Sequence, residues 1–462
     1  MTALGGNDSA VLKTAPLGLP LLSLIRKDPL GAASRFKIRF GDVSKLAILF
    51  RDIYYFFTPE AAREILVDHH GDFTREERLL KIFQTAQGRN VLTTEGADWE
   101  RQRRILAPGF SPKRIAGYMS LMVAATQDCI RAELPTQPGD SAKVDVGGFT
   151  THITMDVILR TLFSQVATRE QAAMISIATR ALTRQTMREV YWAFMPPAWM
   201  PYPGRATKLK NVGIVSNLIA THIRARQDSA AVATPSSDVL SMLLAARDDA
   251  PNVANATLSA QEIHDNCILL FGAGFDTSSS ALSWWIGLMA AHPTAAAQLR
   301  SELETANANG AATPEDVARL PFLNATIKEA MRPYPPSTAL ITRVALRDVV
   351  IGNTPVAKGT LVVVPIWHLH HDGRWFPDPE RFYPERFLPG GTPIPRSAFI
   401  PFGTGPHFCL GQHFATIELA LIAAEIIQQY DLLLEEGFIL PEPVVDLALN
   451  PSTPLRVHFT RR

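Results

Sequence analysis

Phe399-Ile-Pro-Phe402-Gly-Thr-Gly405-Pro-His407-Phe-Cys409-Leu-Gly411 sets a lone cysteine between glycines, immediately before a strongly apolar helix expected to start near Gln412. Glycine lets the backbone fold tightly around the sulfur and turn amide hydrogens towards it, and a helix N-terminus favours the charged thiolate. A solitary cysteine is ordinarily an inert buried thiol. Here Phe402 can shield the sulfur from water, and His407, two residues before it, can donate to a carboxylate on the same side. Taken together, the stretch reads as a thiolate ligand in a prepared loop.

The other two cysteines, Cys129 and Cys267, are far away and lack the paired short spacings of a zinc site or a disulfide framework. A reducing compartment, the cytoplasm, is expected. With 45 Lys plus Arg against 44 Asp plus Glu, no chain-wide basic field exists to attract nucleic acid. The apolar stretch from Ala15 to Ile25 is short and interrupted by Pro20, so neither signal peptide nor membrane anchor is expected. Residues 1–25 read as an extended N-terminal segment. Without internal repeats or a long Gly/Ser or acidic linker, residues 26–462 read as one continuous domain.

Local signals place several elements. Lys45-Leu-Ala-Ile-Leu-Phe50 and Ile53-Tyr-Tyr-Phe-Phe57 flank an Arg-Asp step and suggest a β-hairpin turning there. Thr58-Pro59-Glu60 suits the first turn of a helix. Ser259-Ala-Gln-Glu262 makes a capping box for a helix that can run to His292, before Pro293. Its middle carries Gly272 and Gly274, each costing about 1 kcal/mol inside a helix. Either the close approach of a flat ligand or tight helix packing explains them.

Phe402, Gly405, His407, Cys409 and Gly411 resemble the haem-binding loop of the cytochrome P450 family, with His407 where many members have Arg. The resemblance spans nearly the whole chain. It implies a mainly α, triangular fold with a small β-sheet region, and haem b (iron protoporphyrin IX) held through Cys409. A histidine at position 407 makes the propionate contact weaker and pH-dependent in principle. Glu329-Ala-Met-Arg332 resembles the family E-x-x-R pair, and Phe382-Tyr-Pro-Glu-Arg386-Phe387 the segment whose Arg completes a buried Glu-Arg-Arg network. That network is assigned to folding rather than chemistry. Glu60 to Arg63 and Glu100 to Arg103 share the spacing, and exposed pairs of this kind contribute only tenths of a kcal/mol.

Trp99-Glu-Arg-Gln-Arg103 resembles the family W-x-x-x-R, and the four-residue spacing puts both side chains on one helix face. Trp99, Arg103 and Arg343 are expected at the haem propionates, where the arginine fork pairs bidentately with carboxylate. Arg101 and Arg104 fall on another face; solvated charge is their default, with reception of an acidic ferredoxin as the sharper hypothesis.

Ala273-Gly274-Phe-Asp276-Thr277 matches the oxygen-binding stretch of the family. Activating dioxygen consumes two electrons and two protons before the O–O bond breaks. Asp276 is expected to relay protons and Thr277, at a local helix distortion, to orient them; Ala273 and Gly274 would leave room above the iron. The bland alternative is a helical Thr bonded back to its own backbone.

The resemblance thus implies a monooxygenase acting on an apolar small molecule and O2. Electrons would come from a ferredoxin and its reductase or another external donor, since three scattered cysteines hold no second cluster. A monomer is expected. A peroxygenase or haem-thiolate isomerase is the alternative, and a haem sensor would have little use for Asp276-Thr277. Substrate-lining regions are expected near Arg78 to Leu92, Thr183 to Pro203, Ile268 to Thr277 and Pro336 to Ile341. Within these, Val190 to Tyr202 is rich in aromatic residues and Met, suiting an apolar lid, a membrane-resting patch or ordinary helix packing.

Overall fold

Helix starts follow the capping chemistry. Thr58 Oγ1 accepts from the Ala61 amide at 3.3 Å, with Pro59 at the first helical position. At Ser259 both halves of the capping box form, Ser259 Oγ accepting from Glu262 N at 3.2 Å and Glu262 from Ser259 N at 2.8 Å. A computed structural model describes residues 19–48, 51–166, 168–192, 196, 199–229, 238–247, 257–308, 313–391 and 393–462. It is 58% helical with small sheets, the mainly α class expected.

The helices that position the site are α1 (Glu77–Gln87), α2 (Gly96–Leu106), α3 (Val146–Phe163), α4 (Arg169–Val190), α5 (Arg205–Ser229), α6 (Ala260–Ala291), α7 (Pro321–Met331) and α8 (Gln412–Gln429). Helix α6, with 32 residues, spans about 48 Å. It packs along α3, and both are buried on nearly every side, so they read as apolar throughout rather than on one stripe.

A five-stranded sheet lies beside the helices. Its strands are β1 (Val43–Ile48), β2 (Arg51–Phe56), β3 (Phe73–Arg75), β4 (Arg343–Ala345) and β5 (Leu361–Val363), in the order β1-β2-β5-β4-β3. A hairpin of β6 (Pro443–Val445) and β7 (Leu449–Pro451) is tied to α6, because Ser280 Oγ and Trp284 Nε1 both donate to Leu449 O at 2.7 Å.

Two expectations are corrected. The hairpin does not turn at Arg51-Asp52: Ile48 pairs with Arg51, so both residues belong to β2, and positions 49 and 50 lie outside the described residues. Non-local charge pairing favours that register, with Arg51 bridging to Glu76 at 2.8 Å and Lys45 to Asp52 at 2.8 Å. The N-terminal segment is also not extended throughout, since Leu19–Lys27 is helical; residues 1–18 lie outside the described ones. Pro20 sits in its first turn, where the missing N–H breaks no bond. Leu21 is buried with Phe36, Leu46 and Ile48.

Candidate functional site

The cysteine loop turns on Gly403 and Gly405, both at positive φ (72° and 75°). A side chain at Gly405 would meet the Leu66 carbonyl oxygen at 1.9 Å, so only glycine fits. Cys409 N closes the loop by donating to Phe402 O at 2.9 Å. Helix α8 then starts with Gly411 as its cap. The Cys409 side chain is exposed. Burial pushes its thiol up, while the Gly411 amide, donating to the sulfur, and the Arg103 charge pull it down.

Trp99 and Arg103 both turn to this loop from α2. The Trp99 ring lies 4.0 Å from the His407 ring, and the Arg103 guanidinium 4.6 Å from the Phe408 ring. Arg343 opens β4 as expected, and its cross-strand partner on β3 is a second buried arginine, Arg75. Sequence reading missed Arg75, because nothing local marks a residue whose role depends on strand register. Arg75 Nε donates to Glu95 Oε1 at 2.6 Å and Nη1 to Leu92 O at 2.7 Å, pinning the chain just before α2. Glu95 Oε2 lies 3.7 Å from His407 Nε2.

Like charges opposed across a ladder repel, and burial lowers the Arg343 pKa to about 10, with Arg75 adding to it. Burial and the charges of Arg75, Arg343 and Arg103 lower His407 to about 3. Those charges favour the neutral imidazole, whereas a carboxylate placed beside it would favour the protonated one. Its Nδ1 is buried without a hydrogen-bond partner. Three guanidiniums, an orphaned ring nitrogen and one carboxylate among them fit a group that brings two further carboxylates, as haem does.

On α6, Ala273 is exposed between the buried Phe271 and Phe275. Gly274 departs from expectation: a side chain there would strike Ile158 Cδ1 of α3 at 2.6 Å, so this glycine serves helix packing. Gly272 has nothing within 4 Å of the corresponding position. The helix shows no distortion at Thr277, being continuous from Ala260 to Ala291. The hydroxyl donates to Ala273 O at 2.8 Å, the back-bond of the bland alternative, which still leaves its lone pairs to accept. Burial raises Asp276 to about 6, opposed by Arg180 and reinforced by Asp446.

Glu329 and Arg332 pair bidentately at 3.0 Å with no solvent exposure, and Arg386 Nε approaches Glu329 Oε2 at 3.2 Å. Tyr383 N donates to Glu329 at 2.9 Å and Arg332 Nη1 to His370 O at 3.1 Å, so the network is both paired and hydrogen-bonded. Arg101 is not a solvated charge: it pairs with Glu262 at the start of α6 and is only 12% exposed. Arg104 contacts Glu100 at 4.0 Å.

Two of the expected lining regions meet. Arg78 of α1 donates to the carbonyls of Val190, at 2.9 Å, and Trp192 beyond α4. Lys208 of α5 reaches Thr85 Oγ1 of α1 at 2.5 Å and pairs with the buried Glu189.

A buried carboxyl that sequence reading missed is Glu418 of α8, one of whose oxygens accepts from Ser278 Oγ at 2.6 Å while the other has no partner. Burial raises it to about 8. Because the folded state holds this proton more tightly than the unfolded chain does, stability falls as pH rises from about 4.5 to about 8 and is level above that. Glu418→Gln should lose that slope and melt above wild type at about pH 9; unfolding followed by circular dichroism across the range checks it, and an unchanged slope would remove Glu418 as its source.

The cytochrome P450 family model matches residues 11–459. The chain is 30% identical over 437 residues to "Putative cytochrome P450 132" of Mycobacterium tuberculosis, covering 92% of each. It is 31% identical to a "Cytokinin hydroxylase" of Arabidopsis thaliana (86% of this chain, 77% of the relative). With "Cyclooctat-9-en-7-ol 5-monooxygenase" of Streptomyces melanosporofaciens the figure is 30%, covering 91% and 89%. Among the described residues no helix is long and apolar enough to cross a membrane. A glycine-built cysteine loop, a cationic cradle for two carboxylates and a match of this extent lead to one conclusion: the chain belongs to the cytochrome P450 family, whose members bind haem through a cysteine thiolate, and is a haem-thiolate monooxygenase.

Proposed function

We propose that this monooxygenase inserts one oxygen atom into an apolar small molecule in the cytoplasm, as a monomer served by a ferredoxin and its reductase, with Asp276 and Thr277 managing the protons. Haem bound through a cysteine thiolate supplies dioxygen binding and favours O–O cleavage. Cys409 is the ligand in this reading. Trp99, Arg103, Arg343 and His407 hold the propionates. Relatives named as a hydroxylase and a monooxygenase support oxygen insertion.

The observation that carries the proton assignment is the Asp276 carboxyl on α6, which burial raises to about 6 one residue before Thr277. A carboxyl in this range can pick up a proton from solvent and release it near neutrality. Thr277 Oγ1, its own hydrogen committed to Ala273 O, presents an acceptor to a water. Product formation should rise as pH falls towards about 6 and level below it. Asp276→Asn should flatten that profile and slow product formation by roughly 100-fold, with electrons diverted to peroxide. An unaltered profile in that variant would place the proton route elsewhere.

A further inference from the structure

Glu95 stands at the N-cap of α2 yet its side chain caps nothing there. A capping side chain accepts from amides of its own first turn. Glu95 Oε1 instead accepts from Arg75 N at 3.0 Å and Arg75 Nε at 2.6 Å, and Oε2 faces His407, two residues before the sulfur. Arg75 is 4% exposed and Glu95 25%, so salt screens this pair far less than a surface one. Arg75 also donates to the carbonyls of Leu92 and Thr94. The segment entering α2 is therefore held by bonds that need no charge on Glu95.

That charge works against its surroundings. A carboxylate in a site that attracts propionates repels them and weakens the pull of the guanidiniums. The guanidiniums of Arg75, Arg103 and Arg343 all bear on His407, and Glu95 bears on Arg75 and Arg343. Three cations thus face one carboxylate, and two propionates match the excess that remains. A carboxylate kept there against propionate binding points to a use in setting the charge around the haem.

We propose that the Glu95 carboxylate biases the haem towards its ferric form, an inference that rests on Cys409 and the surrounding cations holding that haem as proposed above. The step it opposes is the passage of one electron from the external donor to ferric haem, which adds one negative charge and takes up no proton. A carboxylate nearby disfavours that added charge, and the low dielectric of a mostly buried site enlarges the effect.

Spectroelectrochemical titration of the haem-loaded, substrate-free protein tests this. Glu95→Gln keeps an oxygen able to accept from Arg75 and removes the charge. It should favour ferrous over ferric haem by at least ~3-fold, a rise of about 30 mV at 59 mV per tenfold. Glu95→Thr removes the same charge with a side chain that caps helices well, and should give the same rise if the glutamine variant fails to load haem. Glu95→Asp keeps the charge and should stay within ~1.5-fold of wild type. So should Asp98→Asn, since Asp98 of the same helix is 55% exposed and paired with Arg89 at 2.9 Å. A wild type without the red-shifted carbon monoxide band would remove the haem reading itself. With that band present, an unmoved or lowered potential in a neutral Glu95 variant, or an equal rise in Asp98→Asn, overturns this inference alone.

Discussion

Cys409→Ser should abolish the red-shifted Soret band that reduced protein gives with carbon monoxide, and product formation with it. A serine hydroxyl cannot ionise in this environment, whereas the thiol, though burial pushes it up, is helped back towards thiolate by the Gly411 amide and the Arg103 charge and would ionise on binding iron. The cationic cradle around Arg75, Arg343 and His407 does not involve the sulfur, so the variant should still take up some haem and show it without the shifted band. Neither remaining cysteine can substitute. Cys129 and Cys267 are buried, and burial pushes both thiols up, Cys267 to about 12; Cys129→Ser and Cys267→Ser should keep the band. Its survival in Cys409→Ser would falsify the ligand assignment.

Glu329→Gln should be the most destabilising single change among the site-supporting residues. It leaves Arg332 and Arg386, 0% and 7% exposed, sharing a pocket with no carboxylate, and breaking a buried pair in this way costs about 3–5 kcal/mol. Arg332→Leu should cost less, because Glu329 keeps Arg386 at 3.2 Å and the Tyr383 amide at 2.9 Å. The midpoint of urea unfolding at neutral pH reads the effect, and haem should be released at the same denaturant concentration because α7 and the cysteine loop share one core. A midpoint within error of wild type would mean the network contributes nothing net to folding.

The three E-x-x-R spacings separate what a sequence can say from what it cannot. Glu329 and Arg332 form the buried pair, whereas Arg63 turns to Asp68 at 3.2 Å and Arg103 to the Phe408 ring. Spacing put each pair within reach; burial and a third partner, both non-local, chose among them. The same division runs through α6. Its start was legible from bonds within four residues of Ser259, and its end from Pro293, which cannot continue a helix. The duties of Gly272 and Gly274 were not, because α3 decides which glycine is crowded.

Sequence alone determined the cysteine loop, the paired faces of Trp99 and Arg103, and the helix starts, all of which rest on short-range geometry that repeats wherever the residues recur. Tertiary structure decided the hairpin register, the engagement of Arg101 with Glu262, the placing of Arg75 opposite Arg343, and the elevated Asp276 and Glu418. Desolvation and charge pairing depend on which distant segments share a low-dielectric space, and that is known only once the chain has folded.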